Sequence, residues 1–544
     1  MAYNLIEERW IPVRRQSGKV ESIAPWQIAE REDPPILIES SRPDFDAALL
    51  EMLIGLVQTV MAPEDEIGWK EVYRAEPDPD ELRKRMLTVR DAFSLDGDGP
   101  RFFQDIDVHK HPKADRKPIG TLLIDRGTAS DTELFAKTGG FEQFGLPMAA
   151  AALLTIQQFA PSGGAGIRTS MRGGGPLSTT IKDVTLWKTC WCNVISDEDF
   201  LDMIPGERKK RDPKDTFPWL AKTRTSEKDA ASTVPEHIHP LQHFWSLPRR
   251  FRLCMAKAQS GRCAITGEDG PVVTEAWSRP HGTSYNGPFR HPLTAYTVTK
   301  PQEPPNPKKG GSGFSYRDWP LLHMRSDVWI PSAVVEVFYR RERWRTAKVS
   351  NVVARGYAMD NMKPLRFIEG DTLLLHVAAQ VLRDMRGDVA QLVETSDKVR
   401  KDLSRQVKAA WSDRPSDLPG DVQARTDVAF MAASEPSFYE TLRGIAAARE
   451  SNQNLEAPKT DYIKALQREA FKVFDALCPI DADLGADELG RIVRARKGLA
   501  YFTRHDELAV SVGLEEPKPK GNKPKTGTSD SKSSKKSKGK ETTK

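Results

Sequence analysis

Residues 160–180 read APSGGAGIRTSMRGGGPLSTT, a run in which glycines alternate with two arginines, Arg168 and Arg172, and a row of hydroxyl side chains. A glycine-rich turn that follows a helix can cradle phosphate through its backbone N–H groups. This run has no lysine to complete G-x-x-x-x-G-K-[ST], and Gly164-x-Gly166 is followed by Ile167, Arg168 and Thr169, with no third glycine in place. Neither common nucleotide loop is therefore present. Two readings stay open. Glycines without a Cβ let a backbone approach the floor of a nucleic-acid groove, with Arg168 and Arg172 on phosphates; alternatively they form a tightly packed internal turn.

The histidines offer a second constellation. His109 and His111 stand in VHKH, and His237, His239 and His243 in EHIHPLQH. Pro240 interrupts the second set and no carboxylates accompany either at ligand spacing, so no metal site is expected. No G-x-S-x-G, H-E-x-x-H or paired-carboxylate signature occurs, which assigns no catalytic residue and no cofactor and points away from an enzyme. Five scattered cysteines (Cys190, Cys192, Cys254, Cys263, Cys478) form no C-x-x-C pair and read as reduced thiols.

The elements that must position the glycine run are legible in outline. The chain has 544 residues, 38% of them hydrophobic, enough for roughly two to four domains. No apolar run reaches the ~18 residues of a membrane span. The start MAYNLIEERWIPV lacks a basic region followed by an apolar one, so a cytoplasmic protein with no membrane partner is expected. Net charge is +5, yet residues 517–544 hold ten lysines against Asp530 and Glu541, a net +8 that leaves −3 for the rest. That lysine-rich tail, 516–544, is expected to be disordered.

Residues 1–365 mix short β-like runs (WIPV, GTLLID, DVTLWKTCWCNVI, AYTVT, SAVVEVFY) with helices over 44–62 and PMAAAALLTIQQFA, a mixed α/β domain. The first helix should bury one face through Leu50, Leu53, Leu56 and Val57. Proline-rich stretches at 212–219 and 300–316 read as exposed loops. From 366 to 515 the texture turns helical. One stripe runs Leu374, Val377, Val381, Met385, Val389 and Leu392, another Tyr462, Leu466, Ala470, Phe474 and Leu477, with further helices near 427–448 and 486–502. Four such helices bury their stripes most simply in a bundle. The fold class is thus α+β: a large mixed N-terminal domain, a C-terminal four-helix bundle and a tail.

Five stretches in order, NLIEERWIPV, LFAKTGG, APSGGAGIRTSMRGGGPL, HIHPLQHFWSLPRRFRL and GYAMDNMKPLRF, resemble the CasA family, the large subunits of the type I-E CRISPR surveillance complex Cascade. The resemblance spans about residues 4–510 and implies a non-catalytic role in antiviral defence. Its implied partners are the subunits CasB, CasC, CasD and CasE, a CRISPR guide RNA, double-stranded target DNA and a helicase-nuclease that the subunit recruits. In this family the protein reads a short protospacer-adjacent motif (PAM) while guide pairing reads the remaining sequence. The resemblance places the PAM-reading glycine loop at Ser162, Gly163, Gly164, Ala165 and Gly166, and the duplex-opening wedge at Met359, Asp360, Asn361 and Met362. It offers Arg279 and His281 for a minor-groove cation, and Phe135, Ala136 and Lys137 for contact with the guide RNA and a neighbouring subunit. The rival expectations are a sequence-indifferent DNA-binding protein acting through its tail and a nuclease with dispersed residues.

Overall fold

The computed structural model describes residues 3–126, 141–159, 161, 163–210, 212–227, 232–255, 259–310, 314–360, 363–481 and 483–515. The lysine-rich tail lies outside them. Among the described residues the strands form five three-stranded sheets, each paired antiparallel, while long helices gather in the C-terminal third. The class is α+β.

Helix Pro43–Met61 is the spine of the N-terminal part. Pro43 opens it, and Asp44 and Asp46 occupy the first turn, where negative charge complements the helix dipole. The expected one-sided stripe is exceeded: residues from Asp44 to Gln58 are buried almost without interruption, because a helix apolar on all sides is enclosed on all sides. Helix Leu146–Phe159, equally enclosed, packs against it. Among the described residues no single helix is long and apolar enough to cross a membrane.

Three β-like runs resolve differently. Within DVTLWKTCWCNVI, Thr185 accepts the Lys188 backbone N–H and starts helix Leu186–Cys192. SAVVEVFY becomes helix Ala333–Arg340, whose buried residues include Val334, Val335, Val337 and Phe338; burial overrides β-propensity in both. GTLLID is a turn, Ile119–Leu122, and the neighbouring strand is Asp115–Pro118. The 212–219 stretch is not wholly exposed either, since Phe217 and Trp219 sit in the core among Phe93, Phe102, Phe103 and Trp245.

The helical region begins later than residue 366. Strand Lys363–Leu373 carries the β structure across that point, and the first helix is Ala379–Asp384. Leu374 and Val377 are therefore buried in the connection rather than on a helical stripe. Helices Arg386–Trp411, Gly420–Glu450, Glu456–Leu477 and Ala486–Phe502 then pack together, and Tyr462, Leu466, Ala470 and Phe474 are fully buried along one face.

Candidate nucleic-acid interface

Helix Leu146–Phe159 leads directly into the glycine run. Ala160 and Ser162 lie outside the described residues; Gly163, Gly164 and Ala165 face solvent. The Ile167 N–H donates to the Gly164 carbonyl at 3.1 Å, closing a turn. Gly164 and Gly166 have φ of +115° and +75°, values that disfavour any residue with a Cβ. A Cβ on Gly164 would meet nothing within 4 Å, whereas one on Gly166 would lie 2.8 Å from the His281 imidazole. His281 holds this point from below, its backbone N–H donating to the Gly166 carbonyl at 2.7 Å.

The second half of the run does a different job. A Cβ on Gly174 would approach the Pro161 Cα to 2.8 Å, and one on Gly175 the Met359 Cγ to 2.6 Å. The Gly175 N–H donates to the Phe159 carbonyl at 3.0 Å, tying the end of the run to its beginning. The packed-turn reading thus describes Gly174 and Gly175, while residues 163–165 are exposed.

Met359 belongs to a long hairpin, Asn351–Asp360 paired with Lys363–Leu373, whose register shifts between Ala358 and Met359. Its first strand also pairs with Ser178–Lys182, the strand that follows the glycine run. One sheet therefore anchors both expected DNA-contacting elements. Met359 is half-buried and Asp360 is exposed; Asn361 and Met362 lie outside the described residues, as do Phe135, Ala136 and Lys137. Toward the turn end of the hairpin, Tyr357 donates to Asp44 at 2.6 Å. Burial, and then the Asp44 carboxylate, push the Tyr357 hydroxyl well above its ordinary pKa. Phe367 packs edge-on against both Tyr357 and Phe159.

The arginines divide. Arg172 does not reach toward phosphates: it is 3% exposed and paired at 2.7 Å with Glu51, itself 2% exposed, on the core helix. A buried guanidinium needs such a partner, so Arg172 tethers the run to the spine. Arg168 donates to the Ser226 hydroxyl at 2.8 Å. Arg279 donates to Glu227 at 2.9 Å and also contacts His111, so its charge is engaged within the protein. Sequence reasoning passed over Arg249, whose guanidinium donates to the Pro161 carbonyl and is pushed by burial down to about 10. The arginine pair within the apolar stretch HFWSLPRRFRL was the available signal.

The histidines of EHIHPLQH serve the backbone. His237 and His239 accept the N–H groups of Val234 and Leu241, and buried His243 faces the Pro240 carbonyl. Among the described residues no three His, Cys, Asp or Glu side chains are grouped to hold a metal, and all five cysteines are buried and outside any disulfide.

The family model of CRISPR-associated protein Cse1 matches residues 4–474. Among solved structures, CasA of Thermus thermophilus is 16% identical with a TM-score of 0.67, covering 92% of this chain and 99% of that one. Cse1 from Acidimicrobium ferrooxidans is 15% identical with a TM-score of 0.65, covering 95% and 99%. A chain of a CRISPR RNA-guided surveillance complex is 14% identical with a TM-score of 0.62, covering 92% of this chain and 100% of its own length.

Proposed function

The chain belongs to the CRISPR-associated Cse1 family, and from that premise we propose that it is the non-catalytic large subunit of a type I-E RNA-guided surveillance complex. Its partners on this reading are the other Cascade subunits, a guide RNA and duplex DNA. Residues 162–166 lie along the minor groove beside the target and read the PAM, and residues 359–362 enter beneath it to part the first base pairs. The helicase-nuclease is recruited afterwards.

The observation that carries this reading is the contact of Gly175 with Met359, which ties the glycine run to the hairpin strand Asn351–Asp360. A minor groove is only about 6 Å wide, and a loop bare of side chains suits it. Unstacking a base step costs a few kcal/mol, so a wedge has to stand on something that does not yield. Pairing to Ser178–Lys182 and the Tyr357 bond to Asp44 supply that footing. Because A·T and T·A present the same acceptors in the minor groove, such a reader tolerates several flanking sequences.

The test is duplex binding by the guide-loaded complex reconstituted with this subunit, across a library of flanking trinucleotides. Ala165→Asp adds charge to the loop without straining its backbone, and Asn361→Ala removes the amide of the tip. Flank selection abolished by Ala165→Asp, and strand opening reduced by Asn361→Ala, with guide RNA still bound, is the expected result. Binding indifferent to the flank and to both substitutions would overturn the reading.

A further inference from the structure

Strand Glu275–Arg279 runs between Asp115–Pro118 and Arg250–Leu253. Trp277 stands opposite Arg116 on one neighbour and Arg252 on the other, so the three side chains form a row across one face. The Arg116 guanidinium lies 4.7 Å from the Trp277 ring centroid. Arg101 and His109 close this row into a cavity of about 210 Å³, with Asp98 on the same wall.

The guanidinium groups of Arg101 and Arg252 in this cavity are held by carbonyls, and the carboxylates of Asp96, Asp98 and Asp105 act on them through space rather than through direct pairs. Arg101 donates to the carbonyls of Gly97 and Leu253 at 2.7 and 3.1 Å. Arg252, 3% exposed, donates to those of Gly99 and Asp105 at 3.0 and 3.4 Å. A carbonyl aims a guanidinium without cancelling its charge, and a buried charge lacking a counter-ion is costly. The nearest carboxylate to Arg116 is that of Glu275, at 3.9 Å. Burial, and then neighbouring Arg101, push Arg252 down to about 10. His109 is likewise lowered, by burial and then by Arg252, and its buried Nδ1 has no partner.

Two residues along the same strands, about 7 Å away, the pattern reverses. Arg250 is paired with Asp105 at 2.6 Å, and Arg279 with Glu227. Among the described residues neither Arg101 nor Arg252 has a carboxylate within bonding distance. One end of this face is thus internally balanced, and the other presents convergent guanidinium groups beside an indole. The balanced end continues to His281, which supports Gly166.

We propose that the cavity formed by Arg101, Arg116 and Arg252 binds a phosphodiester group of a nucleic-acid strand, with Trp277 against the adjoining sugar or base. Guanidinium groups recognise phosphate oxygens through paired N–H donors, and stacking surfaces beside cationic grooves are typical of single-strand binding. The inference goes beyond the PAM reading and uses none of its residues. It requires only that the chain meets nucleic acid.

The test uses the purified full chain with three labelled probes: a single-stranded DNA and an RNA of about 12 nucleotides, and a duplex of the same sequence. Binding is followed by anisotropy from about 50 mM salt upward. At least one probe should bind, and the Arg101→Gln, Arg252→Gln double variant should weaken it roughly tenfold or more. The log–log salt slope should fall by up to about 0.7 for a single strand or about 0.9 for the duplex, the share of one phosphate. Arg116→Gln, at a half-exposed side chain, should lower the slope by about half as much, and it decides the matter if the double variant does not fold. The preferred probe distinguishes guide RNA from target DNA as the source. Unchanged affinity and slope in both variants, no binding by the wild-type chain, or stabilisation by inorganic phosphate alone with no effect on any strand would each overturn the proposal. Loss of PAM selection by Ala165→Asp in the reconstituted complex is scored separately, so either inference can fail alone.

Discussion

Replacing Gly175 with alanine tests whether loop and hairpin are one unit. The added Cβ would lie 2.6 Å from the Met359 Cγ, 2.9 Å from its Sδ and 3.2 Å from the Tyr357 carbonyl oxygen, at a φ of +60°. The left-handed backbone costs an L-residue about 1–2 kcal/mol, and forcing a methyl into a filled contact adds about 1–3 kcal/mol. The total, about 2–5 kcal/mol, falls on the contact between the run and residues 357–359. Native-state hydrogen exchange of the amides in Asn351–Asp360 reads it directly. At tenfold per 1.4 kcal/mol, they should exchange roughly 30-fold to a few thousand-fold faster, and flank selection should weaken in parallel. Adding Met359→Ala removes the collision but not the backbone strain. The double variant should therefore regain the steric part and keep a deficit of about 1–2 kcal/mol. Exchange within a factor of about two of wild type in Gly175→Ala, or no recovery in the double variant, would refute this account.

Arg172→Met should destabilise the N-terminal part by about 3–5 kcal/mol, since it leaves Glu51 buried without its partner; a change under about 1 kcal/mol in denaturant unfolding would contradict the tether. Acid should weaken the fold through its buried histidines. Burial pushes His323 down to about 3 and His243 to about 4, so as the pH falls below about 6.5 the unfolded chain takes up protons that the folded chain refuses. Each should cost roughly 1 kcal/mol per pH unit from there toward its folded value. The unfolding midpoint should therefore drop between about pH 6.5 and 4, and His323→Gln, which can still bond Tyr339 or Thr372, should flatten that drop. An unchanged slope in this variant would remove His323 from the explanation.

What could be read from the sequence followed the strength of the local signal. The stripe Tyr462, Leu466, Ala470 and Phe474 lies on one buried helical face because side-chain spacing alone determines it. SAVVEVFY and the tryptophan-rich run around Cys190 misled because β-branched and aromatic residues also fill helices when every side is enclosed. In the glycine run, exposed Gly164 and packed Gly175 look alike in sequence. What separates them is Met359, far along the chain, which no local pattern reports. Arg172 and Arg168 were equally suited to phosphate by type, yet Glu51 on a distant helix removed one from the surface.

The core helix Pro43–Met61 links the two tips in a second way. Asp44 receives the hairpin through Tyr357, and Glu51 receives the glycine run through Arg172. Seven residues apart, these two acids lie on nearly the same side of the helix, about 10 Å apart along its axis. The helix thus acts as a ruler: the offset between loop and hairpin is set by its pitch, in an element that reaches neither tip. A single residue gained or lost between Asp44 and Glu51 would swing one anchor by about 100° relative to the other and put the glycine run and the hairpin out of phase.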